Sequence, residues 1–212
     1  MTRILPQPIT DYLNQLVPER SEGLVAMEER AARDDFPIVG PAAGQFAYVV
    51  ARLMGARRIF ELGSGFGYST AWFARAVIAN GGGEVHHVVW DEALSAEARD
   101  RLGGMGLGEV VRFHVGEAVA ALQEAEGPFD LIFNDIDKQG YPDSLPVMAA
   151  KLRPGGAILI DNMLWSGRIL DPTDRSPATE GVREFTRRIG SDPGWEVTLI
   201  PIRDGLILAR KV

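Results

Sequence analysis

FELGSGFGYST, residues 60–70, ends a β-rich run and opens a helical one. Ahead of it, RRIFEL (57–62) has the short β-branched and aromatic pattern of a buried strand, and behind it Ser69 to Asn80 has helical spacing. The chain must reverse between them. Gly63, Gly65 and Gly67 give a backbone that tolerates positive φ and the close approach of another group. Strand, glycine turn and helix make one βα step, and the chain repeats the step. EVHHVVW (84–90), VVRFHV (110–115), FDLIFN (129–134) and GAILID (156–161) read as further strands, with helical segments such as 92–102 and 141–152 between them. WEVTLIP (195–201) and LILAR (206–210) follow, joined through RDG (203–205), which predicts a hairpin and an antiparallel final strand. Residues 8–54 carry two or three helical stretches, broken at LVPER (16–20) and at DDFPIVGPAAG (34–44), where Pro37, Gly40 and Pro41 cannot all lie inside a helix.

A length of 212 residues suits one α/β domain, read as a helical preface over 1–54 and a core over 55–212. Hydrophobic residues make up 46% and charged residues 24%, and no apolar run reaches the roughly 18 residues of a membrane span. The first residues, MTRILPQPITDYLNQL, lack the apolar core of an export signal, and the chain has no cysteine; both fit a cytoplasmic protein. Without cysteine there are no disulfides, thiolate metal sites or thiol catalysis. A net charge of −7 opposes binding to nucleic acid, so a small molecule is the expected partner.

The glycine spacing is GxGxG, one residue short of the dinucleotide GxGxxG. Glu61 stands two residues before the first glycine, at the end of the first strand, where a carboxylate suits a cationic ligand better than a pyrophosphate. Those two features favour S-adenosylmethionine, with its sulfonium and ammonium, over NAD. The plainer alternative is that the glycines serve only the turn.

A second set of polar residues lies farther along. FDLIFNDIDKQGY leads from a strand into Asp135, Asp137 and Lys138, and GGAILIDNMLW leads from another into Asp161 and Asn162. If these strands are neighbours, their terminal acids converge at the carboxyl edge of the sheet. Two carboxylates and an amide suit a hard divalent cation, Mg²⁺, Ca²⁺ or Mn²⁺. The alternative is that Asp135 and Asp161 cap the helices that follow. His86, His87 and His114 sit within strands, away from these ends, and read as structural.

FELGSGFGYST, FNDIDKQGY and LRPGGAILIDNMLWSGRI, with the tail IPIRDGLILARKV, together resemble the cation-dependent class I O-methyltransferases that act on catechol and caffeoyl-coenzyme A. The likeness runs from about residue 20 to the C-terminus. It implies a Rossmann-like, doubly wound α/β fold of seven strands, mostly parallel, with an antiparallel C-terminal strand and an N-terminal helical elaboration. It also implies that Glu61 and the turn Gly63, Ser64, Gly65, Gly67 hold the methionine part of S-adenosylmethionine, with Ser69, Val39 and Gly40 beside it. Gly116, Glu117 and Ala118 would contact adenine. Asp135, Asp161 and Asn162 match the metal ligands, and Lys138 matches a lysine at the acceptor hydroxyl. Relatives end the second strand with a ribose-binding acid; here Val89 holds that position, so Asp91 is expected to take the ribose. Relatives commonly form homodimers, and the same is expected here.

The resulting expectation is a divalent-cation-dependent O-methyltransferase moving a methyl group to a vicinal dihydroxyphenyl acceptor, with Lys138 accepting the phenolic proton and Asp135 beside it. Trp165, Met163 and the loop at 165–180 would wall the acceptor site, while Arg168 and Arg175 read as solvated. An NAD-dependent oxidoreductase and a non-catalytic S-adenosylmethionine-binding protein are the competing readings.

Overall fold

A computed structural model describes residues 4–212. Three helices, α1 (Gln7–Gln15), α2 (Glu22–Arg33) and α3 (Gly40–Leu53), form the preface. Ser21 caps α2 by accepting the Leu24 amide. Gly40 and Pro41, expected in the break, are instead the first two residues of α3. Proline is tolerated there because a first-turn residue has no helical acceptor for an N–H.

Seven strands follow: β1 (Arg58–Leu62), β2 (Glu84–Val89), β3 (Val111–Val115), β4 (Phe129–Asn134), β5 (Leu152–Ile160), β6 (Trp195–Ile200) and β7 (Leu206–Lys211). They form one sheet in the order β3-β2-β1-β4-β5-β7-β6. β1 to β5 pair in parallel, and β7 runs antiparallel to both β5 and β6, as the RDG hairpin predicts. The crossovers are α4 (Tyr68–Ala79), α5 (Glu92–Gly104), α6 (Ala118–Glu124), α7 (Tyr141–Lys151) and α8 (Pro177–Ser191).

Strand alternation divides the core between two faces. Ile59, Leu131, Phe133, Ala157 and Leu159 pack with α2, α3 and α4, while Phe60, Ile132, Ile158 and Ile160 pack with α7 and α8. Trp72, Phe60, Phe73 and Phe129 are among the largest fully buried side chains, each contributing roughly 1.5–3 kcal/mol by leaving water. The segment read as a loop over 165–180 runs into α8. Ser176 and Pro177, which look like breakers, are its N-cap and first residue, and Val182, Phe185 and Ile189 bury its apolar stripe.

Winding reverses between β1 and β4, since β2 and β3 lie to one side of β1 and β5 to the other side of β4. A crevice forms outside the carboxyl ends of strands at such a switch point.

Candidate active site

The glycine turn leaves β1 at this switch point. Gly63 has φ +85, and a Cβ there would come within 2.5 Å of the Asp135 carbonyl oxygen, so a bare Cα is required where the two strand ends meet. Ser64 ties the turn to β2: its amide donates to the Val88 carbonyl at 2.9 Å and its hydroxyl accepts the Val88 amide at 3.0 Å. Gly67, with φ +92, starts α4.

Glu61 is fully buried beneath this turn. Its Oε2 accepts a hydrogen bond from Thr70 Oγ1, which lies 3.0 Å from His87 Nδ1. A hydroxyl has one proton, so a Thr70 that donates to Glu61 accepts from a protonated His87 Nδ1. Burial pushes the His87 ring down to about 3, which keeps it neutral and able to fill that role. Burial pushes the Glu61 carboxyl up to about 7, against the pull of the Ser69, Thr70 and Ser64 hydroxyls. Glu61 Oε1 has no protein partner.

A cavity of about 760 Å³ opens over the turn, within the size range of ligand sites. Of the residues expected at a cofactor, Val39, Gly63, Ser64, Gly65, Ser69, Asp91, Gly116, Ala118 and Asp135 line it. Glu61 and Gly67 lie behind its wall, and Gly40 lines a neighbouring cavity. The Glu117 carboxylate is occupied as the cap of α6, accepting the Val119 and Ala120 amides. Asp91 caps α5 through Oδ1, which accepts from the Leu94 amide at 3.0 Å, while also facing the cavity.

Asp135 and Asn162 line this cavity, and Asp161 is buried beside Asn162. β4 and β5 are neighbours in parallel register, so Asp135 and Asp161 emerge side by side. Their amides continue the ladder: Asp135 N donates to Leu62 O at 2.9 Å and Asp161 N to Asn134 O at 3.1 Å. Neither acid caps a helix. Asp135 Oδ1 lies 2.7 Å from Lys138 Nζ, which also donates to the Ile136 carbonyl at 3.0 Å. Lys138 is buried, with its Nζ 5.1 Å from the centre of the Tyr141 ring and 5.8 Å from that of Trp165. Asp161 is fully buried; its Oδ2 accepts from Arg203 Nη1 at 2.8 Å and its Oδ1 has no partner. Burial, then the neighbouring Asp135 charge, pushes the Asp161 carboxyl up to about 6 against the opposing pull of Arg203. Asn162, at φ +60, donates from Nδ2 to Asp204 Oδ2 at 3.4 Å, which leaves its Oδ1 free as an acceptor.

Arg203 and Asp204 come from the β6–β7 hairpin, and the sequence reading saw in RDG only a turn. The missed signal is two opposite charges in the connection closest to the carboxyl end of β5. Met163 is buried in the core and walls nothing, whereas Trp165 lines the cavity, its Nε1 donating to Thr179 Oγ1 at 3.1 Å. Arg168 and Arg175 pair on the surface with Asp174 and Glu180. His86 and His114 stack on each other near Phe60, and His87 supports Glu61. A second cavity of about 520 Å³, lined by Leu13 and Asn14 of α1 and by Gly40, meets the first at Val39, Asn162 and Arg203.

Among the described residues, no three His, Cys, Asp or Glu side chains are grouped so as to hold a metal ion, and no helix is long and apolar enough to cross a membrane. The donors here are two carboxylates and an amide.

A cofactor-sized cavity on a GxGxG turn and an acid-rich neighbour define a methyltransferase-like α/β site, and comparison with known proteins specifies the class. Residues 19–212 match the O-methyltransferase family model. The catechol O-methyltransferase of Niastella koreensis is 31% identical over 96% of this chain and 96% of its own. The O-methyltransferase of Bacillus cereus, solved in complex with SAH, superposes with a TM-score of 0.87 at 30% identity, covering 97% of both chains. TomG of Streptomyces achromogenes, an O-methyltransferase of tomaymycin synthesis solved with SAM, gives 0.87 at 28% identity over 97% of this chain and 96% of its own. The chain belongs to this O-methyltransferase family, which sets aside the oxidoreductase reading.

Proposed function

We propose that this enzyme moves a methyl group from S-adenosylmethionine to one hydroxyl of a vicinal dihydroxyphenyl acceptor, with a divalent cation, Mg²⁺ before Ca²⁺ or Mn²⁺, held by Asp135, Asp161 and Asn162. The observation that carries the reading is the donor set: a buried Asp161 Oδ1 with no partner, an Asn162 Oδ1 freed by Asp204, and Asp135 on the adjoining strand. These are hard oxygen donors, and a buried carboxylate oxygen left without a partner is costly. The residues fit the ion.

The donor binds along the glycine turn, over Gly63, Ser64, Gly65 and Ser69, with Gly116 and Ala118 farther along the cavity. Glu61 contributes a negative charge beneath the turn, held in orientation by Thr70 and His87. Relatives of the same fold solved with SAM and with SAH support S-adenosylmethionine as the donor. The acceptor enters from the second cavity, between α1 and the β6–β7 hairpin, where Val39 and Asn162 join the two spaces.

Methyl transfer from a sulfonium is a displacement whose chief demand is alignment of nucleophile, methyl and leaving sulfur. A bound divalent ion would favour the ionised form of a chelated hydroxyl and orient both acceptor oxygens. A phenol with pKa near 10 is otherwise protonated at neutral pH. Lys138 as the free amine takes that proton at Nζ: its two N–H bonds go to Asp135 and Ile136, and its lone pair is left for the acceptor. Trp165 closes the site over Lys138.

A homodimer is part of this reading. Leu53 at the end of α3 is 83% exposed, and Val197 and Leu199 of β6 present further apolar area.

The test is mass spectrometry of acceptors incubated with the enzyme, S-adenosylmethionine and Mg²⁺. A vicinal diphenol should gain one methyl group and the matched monophenol none. Equal methylation of both would remove the vicinal requirement, and no product from either despite measured donor binding would overturn the acceptor class.

A further inference from the structure

Arg203 is placed against an energetic preference. It has φ +55, a left-handed conformation that costs a side-chain-bearing residue about 1 kcal/mol or more. The hairpin tip around it is fastened to the segment after β5: Met163 N donates to Gly205 O at 3.0 Å and Leu164 N to Asp204 O at 2.8 Å. Geometry so fixed delivers the guanidinium to Asp161, with Nη1 2.8 Å from Oδ2 of a carboxylate that is fully buried. Lys138 does the same for Asp135 at 2.7 Å. Both carboxylates of the cluster therefore already have a cation. They differ in kind. Lys138 is buried and held by Asp135, the Ile136 carbonyl and two aromatic rings, whereas Arg203 is 32% exposed and lines both cavities.

We propose that Arg203 is a built-in competitor for the divalent cation, holding Asp161 in the metal-free protein and weakening cation binding by its charge. The proposal rests on the reading of Asp135, Asp161 and Asn162 as a cation site. An ion entering that set meets one Asp161 oxygen already engaged and, beside it, the positive charge of the Arg203 guanidinium. Like charges within a partly desolvated cluster repel with little screening. Asp161 is never left buried and uncompensated, because guanidinium and ion alternate as its partner. The result is a readily exchanged cation whose affinity residue 203 sets.

The experiment is calorimetric titration of the full-length protein with MgCl₂ alone, without donor or acceptor, together with the Mg²⁺-induced rise in Tm. It compares wild type with Arg203→Gln, which keeps a hydrogen-bond donor without the charge, and Arg203→Gly, which also relieves the left-handed backbone. The expected result is Mg²⁺ binding tightened by at least about tenfold in both variants. Unchanged or weaker binding in the variants would overturn the competition and make Arg203 a positioning residue for Asp161. Absence of Mg²⁺ binding in all three proteins would overturn the cation reading of the cluster itself. Circular dichroism of each variant confirms its fold, and either variant alone suffices for the comparison.

Discussion

Lys138 Nζ lies 2.7 Å from Asp135 Oδ1, and the two residues occupy the first turns of chain after β4, at the switch point of the sheet. The pair is local, three residues apart, yet its setting is long-range. Tyr141 and Trp165 offer ring faces to Nζ, and Trp165 is itself held by Thr179 of α8. Lys138 is thereby fixed in the wall of the larger cavity.

Replacing Lys138 by Met should separate chemistry from binding. Turnover should fall by about 10²–10⁴, the usual range for a lost proton acceptor, while donor affinity by calorimetry stays close to wild type. Turnover equal to wild type would remove Lys138 from the mechanism.

Gly63→Ala tests the turn. The added Cβ would sit 2.5 Å from the Asp135 carbonyl oxygen, and φ +85 disfavours any side chain. We expect a loss of at least about 2 kcal/mol in denaturant unfolding, with donor affinity reduced as well. A variant as stable as wild type would show that the strand ends can part without cost.

Glu61 makes a prediction about pH. Its carboxyl ordinarily titrates near 4.5 and in the folded protein near 7, so between these values the native state holds the extra proton. Stability from this group is complete below about 4.5 and is lost as pH rises through about 7. In the absence of donor, Glu61→Gln should gain Tm relative to wild type on going from pH 5 to pH 8, while losing affinity for the cationic donor. Parallel Tm curves for the two proteins would show that Glu61 titrates normally.

Asp91 carries two assignments that one substitution resolves. As the cap of α5, its loss in Asp91→Ala should cost about 1 kcal/mol. As the ribose acid, its loss should also weaken donor binding about tenfold or more, the worth of a hydrogen bond to a charged group. Lower stability with unchanged donor affinity would leave Asp91 a cap only.

The seven strands were legible because each is a short apolar run with its own period, and FELGSGFGYST marked where the winding starts. Asp135 and Asp161 were legible as strand-end acids, and their convergence waited only on β4 and β5 being neighbours. What was hidden depended on contacts distant in the chain. Arg203 and Asp204 look like turn residues until β7 inserts beside β5 and brings them to Asp161 and Asn162. α8 was obscured by Ser176 and Pro177, which break a helix in mid-course but start one well. The support of Glu61 by Thr70 and His87 crosses from β1 to α4 to β2, and no spacing along the chain records it.

The proposed methyl transfer depends on the Asp135, Asp161 and Asn162 oxygens holding a divalent ion. The most direct measurement is the rate of monomethylated product from a vicinal diphenol and S-adenosylmethionine, followed by mass spectrometry with chelator and then with excess Mg²⁺. Chelation should stop product formation and Mg²⁺ should restore it. Product formed at the same rate with chelator present would rule out metal dependence and leave the cluster a charge-balanced set of Lys138, Arg203 and two carboxylates.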